Sequence, residues 1–521
     1  TLNITKNITL NGDGHTISGS VASGSSFINV SIPNDGDFTL TNCKIVPTTQ
    51  VTPNAAISLS VAGKVTVTDC TFGASNDTAG HMYNGLEFSQ TVPMGDTTIT
   101  GNTFYGGAFR HNCISFYKMN DNATIDISNN IFSDLNWDTT NAVRVSNYGS
   151  NTAIINLNGN TYSDHGTTGA NQSYAGLLVF QKTASNNDNF TKLTVNINHF
   201  STTSDSQLLY VYDDTTRGFS TTNQPIVQGD DTISKFIVAK IGDNLYTSLS
   251  AAISAASDEQ TVTLLKDTTE SVVIPANRTV TFDLNGNKLT APTDKRYDAI
   301  VNYGTLTIKD SKKTGEIISN KNSGIGIGAN SNTTIVYTNI TGQEGAIGGY
   351  KNTVGATLTI NDGIFNGIDN AVVIFNGSER TGNANTIIIN SGTFNGTIQS
   401  NGYIACGIYA PWKDNITVNG GIFNITGGAG IVARAGTVTI AGGEFNTTGN
   451  TTGYVGDSKT TVPCSALVFV SRSNYPAKDT NSKISVQAGK FKSDVCTISF
   501  VNSDPSDTNT RLEVTGGYFT S

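Results

Sequence analysis

Apolar and polar residues alternate along short segments that recur throughout the chain, and these segments come in pairs. In one pair, AISLS (56–60) is followed after a short turn by VTVTDCTF (65–72). In a later pair, GIVAR (430–434) is followed by TVTIAGGEF (437–445). Strict alternation places every second side chain on the same face of a strand, so that one face is buried and the other is solvated. The pattern therefore predicts two half-buried β-strands in each repeated unit.

A short refrain closes the second strand of many units in the second half of the chain. It consists of a small residue, one variable residue and then Phe or a near neighbour. Its occurrences are DGIFNG (362–367), SGTFNG (391–396), NGGIFN (419–424), GGEFN (442–446), AGKFK (488–492) and GGYFT (516–520). A solenoid produces such a refrain because each coil presents the same corner to the coil below it. We expect the Phe rings to stack in the core and the Gly and Asn residues to form the corner.

The repeat restarts near the middle of the chain. NITLNGDGHTISG (7–19) is echoed by VTFDLNGNKLTAP (280–292), and the only convincing helical pattern precedes the echo. There, Thr247 or Ser248 can form the N-cap of a short apolar stripe that begins at Leu249. We predict an all-β protein of two tandem right-handed parallel β-helix solenoids, residues 1–235 and 236–521, with one short capping helix near 247–257.

Composition excludes several classes of function. Charged residues make up 14% of the chain, against about 25% in average soluble proteins. The net charge is −9 and no basic run occurs, which argues against a nucleic-acid partner. No apolar run approaches the ~18 residues of a transmembrane helix, so we expect no membrane insertion. Because Thr1 and Ser521 both lie inside repeats, we expect the chain to be part of a longer protein with a signal peptide and an anchor elsewhere.

The 6 cysteines show neither a C-x-x-C pair nor the spacing of a metal site. Cys43 and Cys70 occupy the same place in consecutive repeats, TLTNCKI and TVTDCTF. In a solenoid they would stack, and we expect buried thiols in preference to a disulfide. No metal and no cofactor is predicted.

The opening of the second half resembles a known kind of module. The string DNLYTSLSAAISAASDEQTVTLLKDTTESVVIPANRTVTFDLNGNKLTA, the run TLTIKDSKKTGEI and the GG-x-F refrain resemble right-handed parallel β-helix modules of large surface proteins from gut bacteria, mainly anaerobic Gram-positives. The resemblance covers nearly the whole chain and implies a pectate-lyase-like β-helix architecture. It implies less about activity, because such modules serve mostly as adhesin stalks and binding surfaces.

Many β-helix proteins cleave polysaccharides, so the outward face of the first strands is the place to look for catalysis. Glycosidases need two carboxylates about 5–9 Å apart, and uronate lyases need a cluster of acidic ligands for Ca²⁺. The predicted outward row in the first half contains one carboxylate and runs Ser58, Glu87, Ser115, Arg144, Leu178 and Tyr210. Asp213 and Asp214 are neighbours on a strand and would point to opposite faces. We therefore predict no catalytic residues and no enzyme.

The same outward positions are a better candidate for binding. Apolar and aromatic residues at solvated positions of a sheet are unusual if the sheet faces only water, although a loop or the other solenoid could cover them. Tyr, Trp and Arg are enriched in interfaces. The candidate ligand-binding residues are Tyr303, Tyr350, Phe375, Tyr409, Trp412 and Arg434 in the second half, with Arg144, Tyr210 and Tyr212 in the first. The long interruptions 203–235 and 447–483 are candidate binding loops.

Taken together, these patterns predict a non-enzymatic, extracellular adhesin or binding protein at a bacterial cell surface. The expected partners are host glycans or host glycoproteins, which could include secreted immunoglobulin. The first alternative is a polysaccharide-active β-helix enzyme, either a lyase or a glycosidase. The second is a structural spacer that holds a different domain away from the cell wall.

Overall fold

A computed structural model shows an all-β chain made mostly of parallel strands in stacked sheets. It divides into two compact units, which are described separately: unit 1 contains residues 1–237 and 243–251, and unit 2 contains 238–242 and 252–521. The structure describes residues 1–32, 34–48, 55–75, 77, 79, 81–135, 141–146, 152–163, 176–182, 190–202, 207–213, 218–220, 224–349, 353–369, 371–375, 381–397, 405–449, 452–455, 460–471, 481–502 and 506–520.

Unit 1 contains three stacks of parallel strands. Sheet 1a consists of Leu2–Ile4, Ile28–Ile32, Ala55–Val61, Met82–Phe88, Phe109–Phe116, Asn141–Val145, Gly176–Lys182 and Gln207–Asp213, with Gly218–Ser220 antiparallel at its edge. Sheet 1b consists of Ile8–Asn11, Phe38–Thr41, Val65–Thr68, Thr97–Thr100, Thr124–Ser128, Ile154–Asn158, Thr194–Asn198 and Ile226–Gly229, with Asn244–Tyr246 antiparallel. Sheet 1c consists of Thr16–Gly19, Lys44–Pro47, Thr71–Phe72, Thr103–Tyr105, Ile131–Ser133, Thr161–Tyr162 and Ser201–Thr202.

Unit 2 repeats this arrangement. Sheet 2a consists of Val272–Ile274, Ile300–Asn302, Ser323–Ile327, Gly345–Gly349, Ala371–Phe375, Ala405–Ala410, Gly428–Ala433, Ser465–Val470 and Cys496–Val501. Sheet 2b consists of Ala239–Ile241, which is antiparallel to Thr261–Leu264, then Thr279–Asp283, Thr305–Lys309, Asn332–Gly342, Thr357–Ile360, Thr386–Ile389, Asn415–Val418, Thr437–Ile440, Lys483–Val486 and Arg511–Val514. Sheet 2c consists of Thr268–Thr269, Lys288–Thr290, Glu316–Ser319, the end of Asn332–Gly342, Gly363–Gly367, Thr393–Thr397, Ile422–Thr426, Glu444–Thr448, Lys490–Ser493 and Tyr518–Thr520.

Short elements complete the described chain. The α-helix Leu249–Ala255 lies within the predicted range, and the Ser248 hydroxyl accepts a hydrogen bond from the Ala251 N–H at 3.1 Å, as expected of an N-cap. Short 3-10 helices occur at Gly106–Ala108, Phe190–Lys192 and Asp231–Phe236. Within the second predicted loop, Thr452–Val455 and Thr460–Pro463 pair as an antiparallel hairpin.

The Phe residues of the refrain stack as predicted. Phe394, Phe423 and Phe445 are fully buried, with ring centroids 4.5 Å and 4.6 Å apart at successive steps. The glycine before each ring makes the corner: Gly421 has φ of 99°, a left-handed value that a side chain would strain. A Cβ there would also lie 3.1 Å from the Gly392 carbonyl oxygen in the preceding coil. The refrain is therefore core and corner.

Unit 1 contains a buried ladder of asparagine side chains next to a second aromatic stack. The Asn102 N–H donates to the Asn130 side-chain oxygen, and the Asn130 N–H donates to that of Asn160, each at 2.9 Å. The ladder begins with the Cys70 N–H, which donates to the side-chain oxygen of Asn102 at 2.9 Å. These amides satisfy backbone groups at corners where no β-ladder can do so.

The all-β prediction is confirmed, and the parallel stacked sheets are compatible with a β-helix. The right-handed turn, the tandem number of solenoids, the boundary at 235/236 and the capping role of the helix stay predictions. Across the described parts of the chain, none of the helices combines the length and apolar character needed to cross a membrane.

The cysteine side chains are free thiols, and most are buried. Thr41 pairs with Thr68 and Lys44 with Thr71, so Cys43 and Cys70 lie at equivalent places in adjacent coils, as predicted. Burial raises the pKa of the Cys70 thiol to about 12. Since the thiolate is the reactive form, this thiol should be inert in the folded protein.

We expect iodoacetamide at pH 8 to alkylate Cys70 at least ~10-fold more slowly than the half-buried Cys496, because burial suppresses both the thiolate and its access to reagent. Peptide mass spectrometry after timed labelling measures both rates in one sample. Unfolding in guanidinium should remove the difference. Equal labelling of the two residues in the native protein would contradict the buried position of Cys70.

Candidate functional site

The candidate binding residues of the second half, which we call the strip (Tyr303, Tyr350, Phe375, Tyr409, Trp412 and Arg434), do not form a continuous exposed surface. Phe375 pairs with Gly349 and is fully buried, so its assignment to the outward face is wrong. Val373 and Phe375 point inward, and Ile374 takes the outward place beside Gly348 and Tyr409. The outward assignment of Phe375 shifts this strand by one residue from its true register. A slip of one residue moves every side chain to the opposite face.

Three further members of the strip are largely covered. Tyr409, Trp412 and Arg434 are 7%, 4% and 3% exposed. Tyr409 belongs to an apolar cluster on the outer face of sheet 2a, together with Val432, Val468 and Val462. Val462 lies in the hairpin strand Thr460–Pro463, so a segment of the second predicted loop covers the sheet. The alternative that a loop covers the candidate residues is therefore correct for Tyr409, and the prediction that Tyr409, Trp412 and Arg434 are exposed is wrong.

Only Tyr303 among the described members of the strip is well exposed, at 48%. Its ring lies against Gly328, where an added Cβ would come within 2.3 Å of the Tyr303 Cδ1. Tyr350 lies outside the described residues. Tyr210 pairs with Val179 and Tyr212 with Gln181 in the backbone register, but their side chains lie outside the description. Asp214 also lies outside the described residues.

The first half of the chain places a polar row on the outer face of sheet 1a. Glu87 pairs with Ser115, and Ser115 pairs with Arg144, in three successive coils. The next member is Val179, because Leu178 pairs with Val143 and is buried. The sequence had placed Leu178 in this row through the same kind of one-residue slip. We call Glu87, His111, Ser115, Tyr117 and Arg144 the Arg144 cluster.

Arg144 is held in one orientation by its neighbours. Its Nη1 donates to the Tyr117 hydroxyl at 3.2 Å, and its Nη2 donates to the Ser146 hydroxyl at 2.9 Å. The guanidinium carbon lies 4.9 Å from the centre of the Tyr117 ring, which is the distance of a cation–π contact. The buried Nε–H has no hydrogen-bond partner among the described residues. The guanidinium is thus fixed in place while its Nε–H stays without a partner among the described residues.

Glu87 ends a chain of side-chain amides. Asn141 donates to Asn112 at 3.1 Å, Asn112 donates to Asn84 at 2.8 Å, and Asn84 donates to the Glu87 carboxylate. Burial raises the pKa of Glu87 above its usual value, while the Asn84 hydrogen bond and the Arg144 charge partly oppose the rise. The carboxyl group therefore holds a proton to a higher pH than an exposed glutamate does.

His111 and two neighbours complete the surroundings of the cluster. The ring of His111 meets Tyr83 edge-on at 4.7 Å between centroids, and the Arg110 guanidinium lies 6.0 Å from the centre of the Tyr83 ring. Although part of the imidazole is exposed, desolvation by surrounding atoms lowers the pKa of His111, and the Arg144 and Arg110 charges lower it further. His111 is therefore mainly neutral at pH 7.

The Arg144 cluster differs electrostatically from the rest of the chain. The protein carries a net charge of −9, yet the charges of Arg144 and Arg110 both act on His111 here, and Arg144 also acts on Glu87, the carboxyl group of the cluster, whose ionisation burial disfavours. The Ser115 hydroxyl is fully buried between Glu87 and Arg144, without a partner among the described residues. Unpaired buried polar atoms are costly, so a polar ligand group that pairs with them is favoured. The arrangement can accept an anionic or hydroxyl-rich group.

A second surface feature is a shallow groove of about 550 Å³ on sheet 2c. The corner glycines of the refrain line it, with Ile422, Glu444 and Lys490 on its wall. Glu444 and Lys490 form an ion pair at 3.9 Å across adjacent coils. The groove follows from small residues at the corners, and no unpaired buried polar group faces it among the described residues.

Sequence reasoning had named Arg144 as a binding residue, and had considered Glu87 and Ser115 only as isolated outward positions. It missed Asn84 and His111. The sequence does show both residues: Asn84 lies three positions before Glu87, and His111 follows Arg110 near the start of the next strand of sheet 1a. Within the described ranges, no group of three or more His, Cys, Asp or Glu side chains is placed to hold a metal ion.

Comparison with known proteins gave no match among protein-family models, curated proteins or solved structures. The function must therefore be argued from the chain's own residues.

Proposed function

We propose that the protein is a non-enzymatic binding protein of a bacterial cell surface, which recognises host glycans or host glycoproteins through the outer face of sheet 1a. The observation that carries this proposal is the Arg144 guanidinium, which Tyr117 and Ser146 fix in place while its Nε–H stays unpaired. A preorganised donor loses little entropy on binding, and an arginine stacked on an aromatic ring is a frequent anchor in recognition sites. The parallel sheets supply a rigid support for it.

A glycan array and a mucus-protein pull-down with the purified chain test this function. We expect binding to at least one glycan class, and we expect Arg144→Ala to weaken it by ~10-fold or more, because charge-assisted hydrogen bonds to the ligand are lost. Arg511→Ala is the matched control, since Arg511 is an exposed arginine of unit 2. Absence of any binding, or equal loss in both variants, would contradict the proposal and favour a structural spacer.

One observation favours a second candidate, a polysaccharide-active enzyme: the raised pKa of Glu87 suits a general acid. A glycosidase needs a second carboxylate about 5–9 Å away, and the strands that pair with Met82–Phe88 carry no Asp or Glu. The purified chain should therefore release no reducing ends or unsaturated uronates from a polysaccharide panel. Product formation that disappears in Glu87→Gln would establish the enzyme in place of the binding protein.

A further inference from the structure

We infer that the Arg144 cluster binds the carboxylate of an acidic sugar, and that Glu87 controls this binding by its own ionisation. This inference rests on the proposed function, and it specifies the ligand group that the same site takes.

Arg144 has the geometry that a carboxylate requires. A guanidinium presents its Nε–H and one Nη–H on the same edge, and a carboxylate can accept both in parallel. In this structure Nη1 and Nη2 are each oriented by a neighbouring hydroxyl, while Nε–H is buried without a partner. Nε is therefore the guanidinium nitrogen without a partner among the described residues, and a carboxylate that displaces the side chains covering it can pair with it.

Ser115 supplies the second observation. Its side chain is fully buried on the outward row between Glu87 and Arg144, and its hydroxyl has no partner among the described residues. The position is one coil away from Arg144, about 4.8 Å along the stack. A sugar acid carries hydroxyl groups close to its carboxylate, so one ligand can pair with both the arginine and the serine.

Charge selects an acid over a neutral sugar. The positive charges of Arg110 and Arg144 both lower the pKa of His111. The charged or titratable groups on the strand Phe109–Phe116 are Arg110, His111 and the buried thiol Cys113. The other strand paired with Met82–Phe88, Ala55–Val61, carries none. On its own strand, Glu87 is accompanied by Tyr83. Within these three described strands, Glu87 is therefore the one group that repels an anion.

The sign of the pH dependence follows from these groups. Burial raises the pKa of Glu87, so its charge is lost at a higher pH than usual, and its repulsion of a bound carboxylate disappears as the pH falls. His111 gains a positive charge only at lower pH, which acts in the same direction. Binding should strengthen from pH 8 towards pH 5 and weaken again only when the sugar acid itself is protonated, near pH 3–4.

The test compares each acid with its own methyl ester, which removes the charge and keeps the rest of the sugar. Sialyllactose and a galacturonic acid trimer serve as the two sources of carboxylate, and calorimetry or surface plasmon resonance measures the dissociation constants of the wild-type chain. We expect at least one acid to bind ~10-fold or more tightly than its ester. Equal binding of acid and ester, or no binding of either acid, would overturn the inference.

Two variants separate the roles of the cluster. Glu87→Gln should bind the acid more tightly than wild type at pH 8 and should show a flatter pH profile, whereas Arg144→Lys should weaken binding of the acid and leave the ester unaffected. An unchanged pH profile in Glu87→Gln would reject the role of Glu87. If the glycan array finds a neutral ligand that depends on Arg144, the proposed function stands while acid recognition fails, so the two failures can be distinguished.

Discussion

Replacing Phe423 by alanine is expected to lower the free energy of unfolding of the surrounding coils by about 3–5 kcal/mol. The ring is fully buried and stacks on Phe394 at 4.5 Å and on Phe445 at 4.6 Å, nearly parallel to both. A Cβ added to Gly407 would lie 2.7 Å from the Phe423 ring, so sheet 2a also packs against it. Removing the ring would leave a cavity between these neighbours, which the surrounding coils can fill only in part.

Hydrogen exchange on peptides covering 393–445 measures this loss locally, which suits a repeat structure better than a single global transition. Ile422→Ala is the matched control, because Ile422 is the adjacent residue, points outward and is 42% exposed. We expect the control to cost less than ~1 kcal/mol. A loss below ~1 kcal/mol for Phe423→Ala would show that the ring is not part of a packed stack.

Replacing Asn130 by alanine should destabilise unit 1 by about 3 kcal/mol, through hydrogen bonds rather than through volume. The fully buried Asn130 amide donates to the Ile99 carbonyl at 2.8 Å and accepts from the Asn102 N–H at 2.9 Å. Alanine leaves both backbone groups buried and unpaired, and each such group costs about 1–3 kcal/mol. Leucine, which has a similar volume, should not restore stability.

Asn156→Ala provides the comparison within the same unit. Asn156 also belongs to an amide ladder, donating to Asp126 at 2.7 Å and accepting from Asn196 at 2.8 Å. It lies half-buried on the outer face, where water replaces the lost partners, so we expect a cost below ~1 kcal/mol. Urea titration of the wild-type chain, Asn130→Ala and Asn156→Ala measures the cost of each alanine substitution. Equal destabilisation by Asn130→Ala and Asn156→Ala would contradict the special role of the buried ladder.

Buried polar side chains are of two kinds in the described part of this protein, those that are hydrogen-bonded and those that are not. Where buried amides are fully paired, as at Asn130, they stabilise the corner of a coil. Where a buried polar group has no partner among the described residues, as at Ser115 and at Nε of Arg144, it carries an energetic cost, and the proposed function assigns its pairing to a ligand. This contrast makes sheet 1a, and not the apolar face of sheet 2a, the favoured binding surface.

Much of the fold was determined by the sequence alone. Alternation of apolar and polar residues sets which face of a strand is buried, because burying apolar surface is the main driving force and the side-chain period is two. The refrain then sets the corner, since glycine accepts the left-handed conformation that Gly421 adopts, and it sets the stack of Phe394, Phe423 and Phe445. These are local rules, repeated in each coil.

The tertiary structure determined the features that depend on contacts between residues far apart in the sequence. Register between coils depends on how loops of unequal length close, and a shift of one residue turned Phe375 from the predicted surface into the core. Coverage of Tyr409 depends on Val462, far along the chain, whose hairpin lies over sheet 2a. The Arg144 cluster likewise arises because three coils bring Glu87, Ser115 and Arg144 into one row, where mutual burial and charge set properties that none of these residues has alone.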